Sequence, residues 1–303
     1  MSIVIRRAPA FATLQDLGRD GALASGVPRS GAMDLIALET LNAMLGNGAN
    51  SAAIELALTG GEIEFTDAAV FAIGGAECDA QLDGNEIESY RVYRALTGST
   101  LAIRSIRSGR FVYVACGGGL SVPQLMKSSS TYLPGGFGGY EGRRVANGDK
   151  IAVSKDSRRR PIVLDPLPSH LRPLANQSTR IVVRESPEIL LDAEWKISSA
   201  SDRTGYRLEG TATLFGASVL SEPVCPGVIQ LPPSGEPIVL MADAPTVGGY
   251  RILGAVISSD LSALSQMTQA TSVQFESVTV EAAQRAAIEN AERIQSVREW
   301  ALA

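Results

Sequence analysis

Leu82-Asp83-Gly84-Asn85, met at the end of the short run Asp79 to Leu82, carries the first decision about this chain. Asp-Gly is the turn pair that tolerates positive φ, so the step predicts a hairpin, two antiparallel strands folded back on one another. The same punctuation spreads outward from it. Ile3 to Arg6, Gly61 to Phe65, Ala69 to Gly74, Ser89 to Arg94, Leu101 to Arg104 and Phe111 to Ala115 are short runs bounded by Gly, Asp, Asn or Ser, and read as strands. Past residue 178 the pattern resumes with Arg180 to Arg184, Tyr206 to Glu209, Gly227 to Leu231, Pro237 to Ala242, Ala255 to Ile257 and Ser272 to Phe275. The 30 glycines and 15 prolines lie between these runs, which favours many turns over long helices. The expected fold class is mainly β.

Two segments break the strand pattern. From Asp34 to Leu45, leucines recur at three and four residues, at Leu35, Leu38, Leu41 and Leu45, which predicts a helix stopped by Gly46-Asn47. Asp34 reads as its N-cap, because a carboxylate there accepts a free first-turn amide. After Thr279 a closing helix is expected with Ile288, Ala291, Ile294 and Val297 on one face. With 303 residues the chain exceeds a single comfortable core. The expected division is a β-rich lobe over residues 1–155, a Pro/Arg-rich connection over 156–178, and a second β lobe with the terminal helix over 179–303. Prolines at 161, 166, 168 and 173 reject helix interior and central strand in the connection.

Composition removes several function classes. Apolar residues make up 45% and charged residues 19%, as in a chain with a substantial core. The formal charge of −5 and the absence of a basic stripe interleaved with aromatics argue against nucleic acid, and Arg158-Arg159-Arg160 reads as a solvated linker. The N-terminus has no signal-peptide apolar block and no stretch is long and apolar enough to span a bilayer, so a cytoplasmic location without membrane is expected. Cys78, Cys116 and Cys225 are odd in number and far apart, which reads as core thiols. One histidine, His170, supports neither a nucleophile triad nor an imidazole-based metal site.

Five segments together resemble one family, the KipA or allophanate-hydrolase-subunit-2 group, which includes the C-type component of 5-oxoprolinase and part of the carboxyltransferase domain of urea carboxylase. They are Thr13-Leu14-Gln15-Asp16-Leu17-Gly18-Arg19; Ser30-Gly31-Ala32-Met33-Asp34 with Leu45-Gly46-Asn47; Ala53-Ile54-Glu55-Leu56; Gly135 through Arg143; and Pro232 through Tyr250. The resemblance implies two cyclophilin-like β-barrel lobes with a few short helices. It implies a companion B-type subunit (KipI or allophanate-hydrolase-subunit-1-like), with the active cleft near the join, and in 5-oxoprolinase a third, A-type (LamB/YcsF-like) subunit. The chain is then expected to be inactive alone. The activity implied is ATP-dependent opening of 5-oxoproline, a cyclic amide, to glutamate, with ATP required at the level of the complex. The alternatives are a biotin-dependent carboxyltransferase acting on urea or a related amide, and a KipA-like regulator that antagonises a kinase inhibitor. Met126-Lys127-Ser128 lacks the usual context of a biotinylated lysine, so any biotin is carried by another chain. Where family members follow Gly-Gly-Tyr with proline, this chain has Arg251, which puts the local backbone in doubt.

The candidate site residues follow. Asp243, after an apolar strand and before Gly248-Gly249 read as a turn, is the candidate catalytic carboxylate, suited to a lactam or ureido N–H or to base chemistry. Gly138 and Gly139, within Gly135 to Gly142, let backbone amides approach an anion, and Arg143 offers a bidentate grip. This is no Walker loop, since no Gly-Lys-Ser/Thr follows. Arg19 is the second candidate cation for a carboxylate, with Asp16 as its alternative partner. Tyr250 is placed to cap the pocket. Glu55, between Ile54 and Leu56, is expected to be a structural ion pair with an arginine. An Asp/Arg/Gly cluster occurs twice, at Asp16 to Gly21 and Asp202 to Arg207.

Overall fold

The computed structural model describes residues 1–154, 163–173, 178–210 and 218–303. Among them the chain is mainly β. The first sheet has ten strands: β1 (Ser2–Arg7), β2 (Phe11–Gln15), β3 (Ala53–Ala57), β4 (Glu62–Phe65), β5 (Ala69–Leu82), β6 (Asn85–Ile87), β7 (Val92–Ala95), β8 (Thr100–Cys116), β9 (Leu120–Ser121) and β10 (Lys150–Val153). Their order is β2-β3-β8-β4-β1-β10-β9, with β5 joining β8 to β6 and β7. The Asp-Gly hairpin forms as expected. Asp83 and Gly84 both have positive φ, 52° and 82°, and Leu82 faces Asn85 across the turn.

Four runs that read as separate strands are two long ones. Ala69 to Gly74 and Asp79 to Leu82 are the ends of β5, while Leu101 to Arg104 and Phe111 to Ala115 are the ends of β8. These strands pair antiparallel from Phe71–Cys116 to Leu82–Leu101, with register shifts near Gly75, Glu77 and Asp79. The glycines that suggested strand ends mark bulges instead: Gly75 and Gly109 take φ of 93° and 91°, which bends a strand without ending it. Ile3, Leu14, Ile54, Ile63, Phe65, Phe71, Leu101 and Val112 pack the core of this sheet, with the Phe65 and Phe71 rings 4.9 Å apart.

Helix α1 (Leu35–Met44) is capped as the sequence requires, the Asp34 carboxylate accepting from the Ala37 amide at 2.9 Å. It packs on β5 and β8.

The second sheet contains β11 (Thr179–Val183), β12 (Trp195–Ile197), β13 (Gly205–Gly210), β14 (Ser218–Pro223), β15 (Val228–Leu231), β16 (Ile238–Leu240), β17 (Val247–Val256), β18 (Ser272–Val273) and β19 (Phe275–Ser277). The order is β18-β12-β13-β16-β15-β17-β11-β19, and β14 pairs β17. Helices α2 (Pro187–Leu191), α3 (Ser258–Ser265) and α4 (Val280–Trp300) complete the described chain. Gly248-Gly249, expected to be a turn, lies inside β17, because ladders with β15 and β14 hold that segment extended.

The chain divides into two compact units: residues 1–19, 30–173 and 292–303, and residues 20–29 with 174–291. By sequence alone, residues 20–29 are expected in the first lobe and the whole terminal helix in the second. Residues 163–173, expected in the connection, belong to the first unit, where the Leu167 amide donates to the Tyr90 carbonyl at 2.8 Å. Arg158-Arg159-Arg160 and Pro161 fall outside the described residues.

Two smaller expectations change. On α4 the buried residues are Ala286, Ile294 and Val297, while Ile288 is 58% exposed and Ala291 is also exposed, a face rotated from the predicted one. Cys78 and Cys116 are buried thiols but Cys225 is exposed. No helix is long and apolar enough to cross a membrane among the described residues.

Candidate functional site

The sequence-predicted residues fall into two clusters, one in each unit. In the first, β2 ends at Gln15 and delivers Asp16 against the segment Ser128-Ser129-Ser130-Thr131, which is held there by the Thr131 amide donating to the Leu14 carbonyl at 2.9 Å. Asp16 is wholly buried and fully engaged. Its Oδ1 accepts from the Gly18 amide at 2.8 Å and from the hydroxyls of Ser128 at 2.7 Å and Ser130 at 2.5 Å, and Oδ2 accepts from the Ser129 amide at 2.6 Å. A buried carboxylate needs such donors to offset lost hydration.

Arg19 is also wholly buried. Its Nη2 donates to the Ser130 carbonyl, and its guanidinium lies 4.9 Å from the centre of the Phe137 ring, within cation–π range. The glycine run packs directly on this cation. A Cβ at Gly138 would run into the Ser130 carbonyl and the Arg19 guanidinium, and one at Gly139 into the Thr131 hydroxyl. Arg19, Gly138 and Gly139 are therefore brought together, as neighbours in one packed knot.

Arg143 points elsewhere. Its Nη1 and Nη2 donate to both oxygens of Asp149 at 2.7 and 2.9 Å, and Nη2 also meets Glu141 at 3.0 Å. The pairing holds the Asp149 carboxyl below its ordinary pKa, chiefly through the hydrogen bonds from Arg143. The amides of Gly136, Gly139 and Gly142 donate to Leu133, Ser129 and Gly138 carbonyls at 3.1, 3.0 and 2.8 Å. These three amides are spent within the first unit.

Glu55, on β3, accepts from two neutral donors. Its Oε2 accepts from the Met33 amide at 2.8 Å and from the Tyr113 hydroxyl at 2.7 Å; that hydroxyl in turn accepts from the Asp34 amide at 2.8 Å. Burial, and then the neighbouring Glu55 and Asp34 charges, push the Tyr113 phenol well up, which keeps it a donor. Sequence reasoning passed over Tyr113, whose role depends on the β3 and β8 register that sets Glu55 opposite it.

The second cluster surrounds Asp243, just beyond β16. Arg203 grips it in a fork, Nε to Oδ2 at 2.9 Å and Nη2 to Oδ1 at 3.1 Å, and the Asp243 amide donates to the Arg203 carbonyl at 2.8 Å. The Arg203 and Asp243 side chains are 16% and 3% exposed. Arg203 was visible in the sequence only as part of the repeated Asp/Arg/Gly cluster. That echo has a structural counterpart: Asp202 Oδ1 accepts from the Thr204 amide at 2.7 Å, as Asp16 Oδ1 does from Gly18, so each carboxylate closes a tight turn two residues on.

Tyr250, on β17, is 39% exposed and faces Ser218 of β14. Arg251, the residue that departs from the pattern of the resembled family, donates to Glu185 Oε1 at 2.8 Å and to the Ser186 hydroxyl at 2.6 Å. It ties β17 to the start of α2, and its backbone remains in the ladder opposite Leu231. His170 is exposed, and among the described residues no group of three or more His, Cys, Asp or Glu could hold a metal.

Comparison with known proteins gives this geometry its context. The sequence model of the carboxyltransferase domain, subdomain A and B, matches residues 25–277. The chain is 35% identical to the C-type component of Haemophilus influenzae 5-oxoprolinase over 95% of its own length and 94% of that protein. It is 36% identical to the corresponding C-type component of Escherichia coli 5-oxoprolinase, covering 93% of each. The crystal structure of the Kluyveromyces lactis urea amidolyase superposes with a TM-score of 0.89 at 23% identity, a likeness of fold; it takes in 98% of this chain and 20% of that one. By the match across residues 25–277 and the near full-length relatedness, this chain belongs to the carboxyltransferase domain family, subdomains A and B.

Proposed function

We propose that this chain is the C-type component of a cytoplasmic 5-oxoprolinase complex and supplies part of the cleft in which 5-oxoproline is opened to glutamate at the expense of ATP. The observation that carries this reading is mutual coverage: the two bacterial C-type 5-oxoprolinase components match end to end, at 94% and 93% of their length, whereas the urea amidolyase is matched over 20%. The complex contains a B-type, KipI-like subunit and an A-type, LamB/YcsF-like subunit, and the chain is inactive without them. Nucleotide binding falls to another subunit, since the glycine run here lacks the Gly-Lys-Ser/Thr ending of a phosphate-cradling loop.

In this reading Asp243 receives the lactam N–H. Each carboxylate oxygen has two lone pairs, and the fork from Arg203 uses one on each, so both retain an acceptor site. Arg203 is then the positioning residue. Arg19, Gly138 and Gly139 support the first unit instead of touching substrate, and Arg143 is committed to Asp149.

The test is ATP-dependent glutamate formation from 5-oxoproline by the chain purified with its companions. Conversion is expected from the full set and lost when this chain is omitted; equal conversion without it would refute the reading. A second reading, carboxyltransferase action on urea with biotin on another chain, is favoured by the family description. It predicts carboxylated urea when a biotin carboxylase and a biotin carrier are added, and no glutamate from 5-oxoproline.

A further inference from the structure

Gln230 interrupts the apolar run Val228-Ile229-Gln230-Leu231 of β15, in which every residue is buried. A carboxamide in that setting gives up its water and needs internal partners. Only 3% of Gln230 is exposed, and among the described residues its Nε2 meets no acceptor. An apolar side chain of similar size would serve packing better than a donor left unmet.

The position of the head group is set by the sheet. Gln230 stands opposite Ile238 of β16 and Ile252 of β17, across a register shift between Ile229 and Gln230. A Cβ at Gly248 would run into Nε2, so the donor occupies the space that a side chain at 248 would take. Gly248 is itself partly exposed. Strand alternation puts Tyr250 on the same side as Gly248. An unmet donor, a bare stretch of strand above it and a half-exposed tyrosine two residues on thus converge at one place.

We propose that Gln230 is a substrate-recognition residue whose Nε2–H donates to the ring carbonyl oxygen of the cyclic amide, reached where Gly248 leaves β17 bare. This rests on the 5-oxoproline reading above. A single neutral donor suits a neutral amide oxygen, whereas the substrate carboxylate calls for a cation. Binding includes a small parting of the backbone at Gly248 from the carboxamide, since Nε2 is covered in the free chain.

The experiment uses the reconstituted complex with Gln230→Leu and Gly248→Ala, reading urea-denaturation midpoints, kcat and KM for 5-oxoproline, and inhibition by pyrrolidinone, the same lactam ring without the carboxylate. Gln230→Leu is expected to be at least as stable as the parent, with KM raised about tenfold or more, the worth of one lost hydrogen bond. Pyrrolidinone inhibition should weaken in step, and Gly248→Ala should raise KM because its methyl takes the space of the carboxamide and displaces the donor. Gln230→Met, unbranched and of similar length, gives the same readout if Leu disturbs the packing. An unchanged KM in a stable Gln230 variant overturns the assignment while leaving the 5-oxoproline reading intact. A raised KM with unchanged pyrrolidinone inhibition overturns the ring-carbonyl contact. A parent complex that neither binds nor converts 5-oxoproline removes the underlying reading, and this inference with it.

Discussion

Replacing Asp243 by Asn keeps its shape and removes its charge, which isolates what the fork from Arg203 contributes. Two donors reach its oxygens at 2.9 and 3.1 Å, and the side chains involved are 16% and 3% exposed. Hydrogen bonds to charged groups contribute about 1.5–3 kcal/mol each, and removing one partner of a buried pair costs about 3–5 kcal/mol. Asn retains one acceptor oxygen but turns an NH2 toward the guanidinium, so the expected loss is about 3 kcal/mol, or roughly 150-fold in the unfolding equilibrium. Urea denaturation followed by far-UV circular dichroism measures it, with the slope m unchanged. A loss below about 1 kcal/mol, the range of an exposed pair, would refute the claim that this pair holds the segment beyond β16. The double replacement Arg203→Met with Asp243→Leu sharpens the result. Removing both charges should cost much less than the two single losses added together, because no lone charge is left buried. If stability returns in the double variant and turnover does not, Asp243 acts on substrate; if both return, its role is architectural.

Four further outcomes are expected. Asp34→Ala removes the cap of α1 and should cost about 1 kcal/mol in denaturant unfolding. Tyr113→Phe strands the Asp34 amide and one acceptor site on Glu55 inside the first unit, for a loss of about 2 kcal/mol by the same measurement. Because the folded Asp149 pKa lies below its ordinary 3.8, its stabilisation is complete above that value and is lost as pH falls through the folded pKa; the stability gap between the parent and Asp149→Asn should therefore be flat at neutral pH and close on the acid side of 3.8. Of the 3 cysteines, Cys225 alone should react with a thiol reagent in the folded chain, since burial raises the thiol of Cys78 and pushes that of Cys116 up to about 12, and all 3 should react in denaturant.

Of the candidate site, sequence reasoning found the residues better than their partners. Asp16, Arg19, Gly138 and Gly139 were singled out from segments more than 100 positions apart, and the fold brings them into one buried knot. Packing gives them neighbours that their spacing in the sequence does not name: the Ser130 carbonyl, the Phe137 ring and the Thr131 hydroxyl. Side-chain type suggests what a group can bind, whereas burial decides whether anything from outside reaches it. Arg143 illustrates the same point from the other side: it is partly exposed and cationic, but Asp149, six residues on, already occupies its fork. Gln230 carried a signal that went unread, a carboxamide in an otherwise apolar four-residue strand.

The β class, the Asp83-Gly84 hairpin and the capped helix at Asp34 are legible in the residues, because each rests on local rules: which residues accept positive φ, which side chains reach an amide three positions away, and where apolar residues recur. Five separated segments were also enough to indicate the family. It takes the folded chain to show that β5 and β8 run unbroken through their glycines, that Gly248-Gly249 is strand and not turn, and that Asp243 is held by Arg203. Those outcomes depend on ladder partners and on a charge 40 positions distant, and pairing energies between remote segments leave no mark on the local pattern of either one.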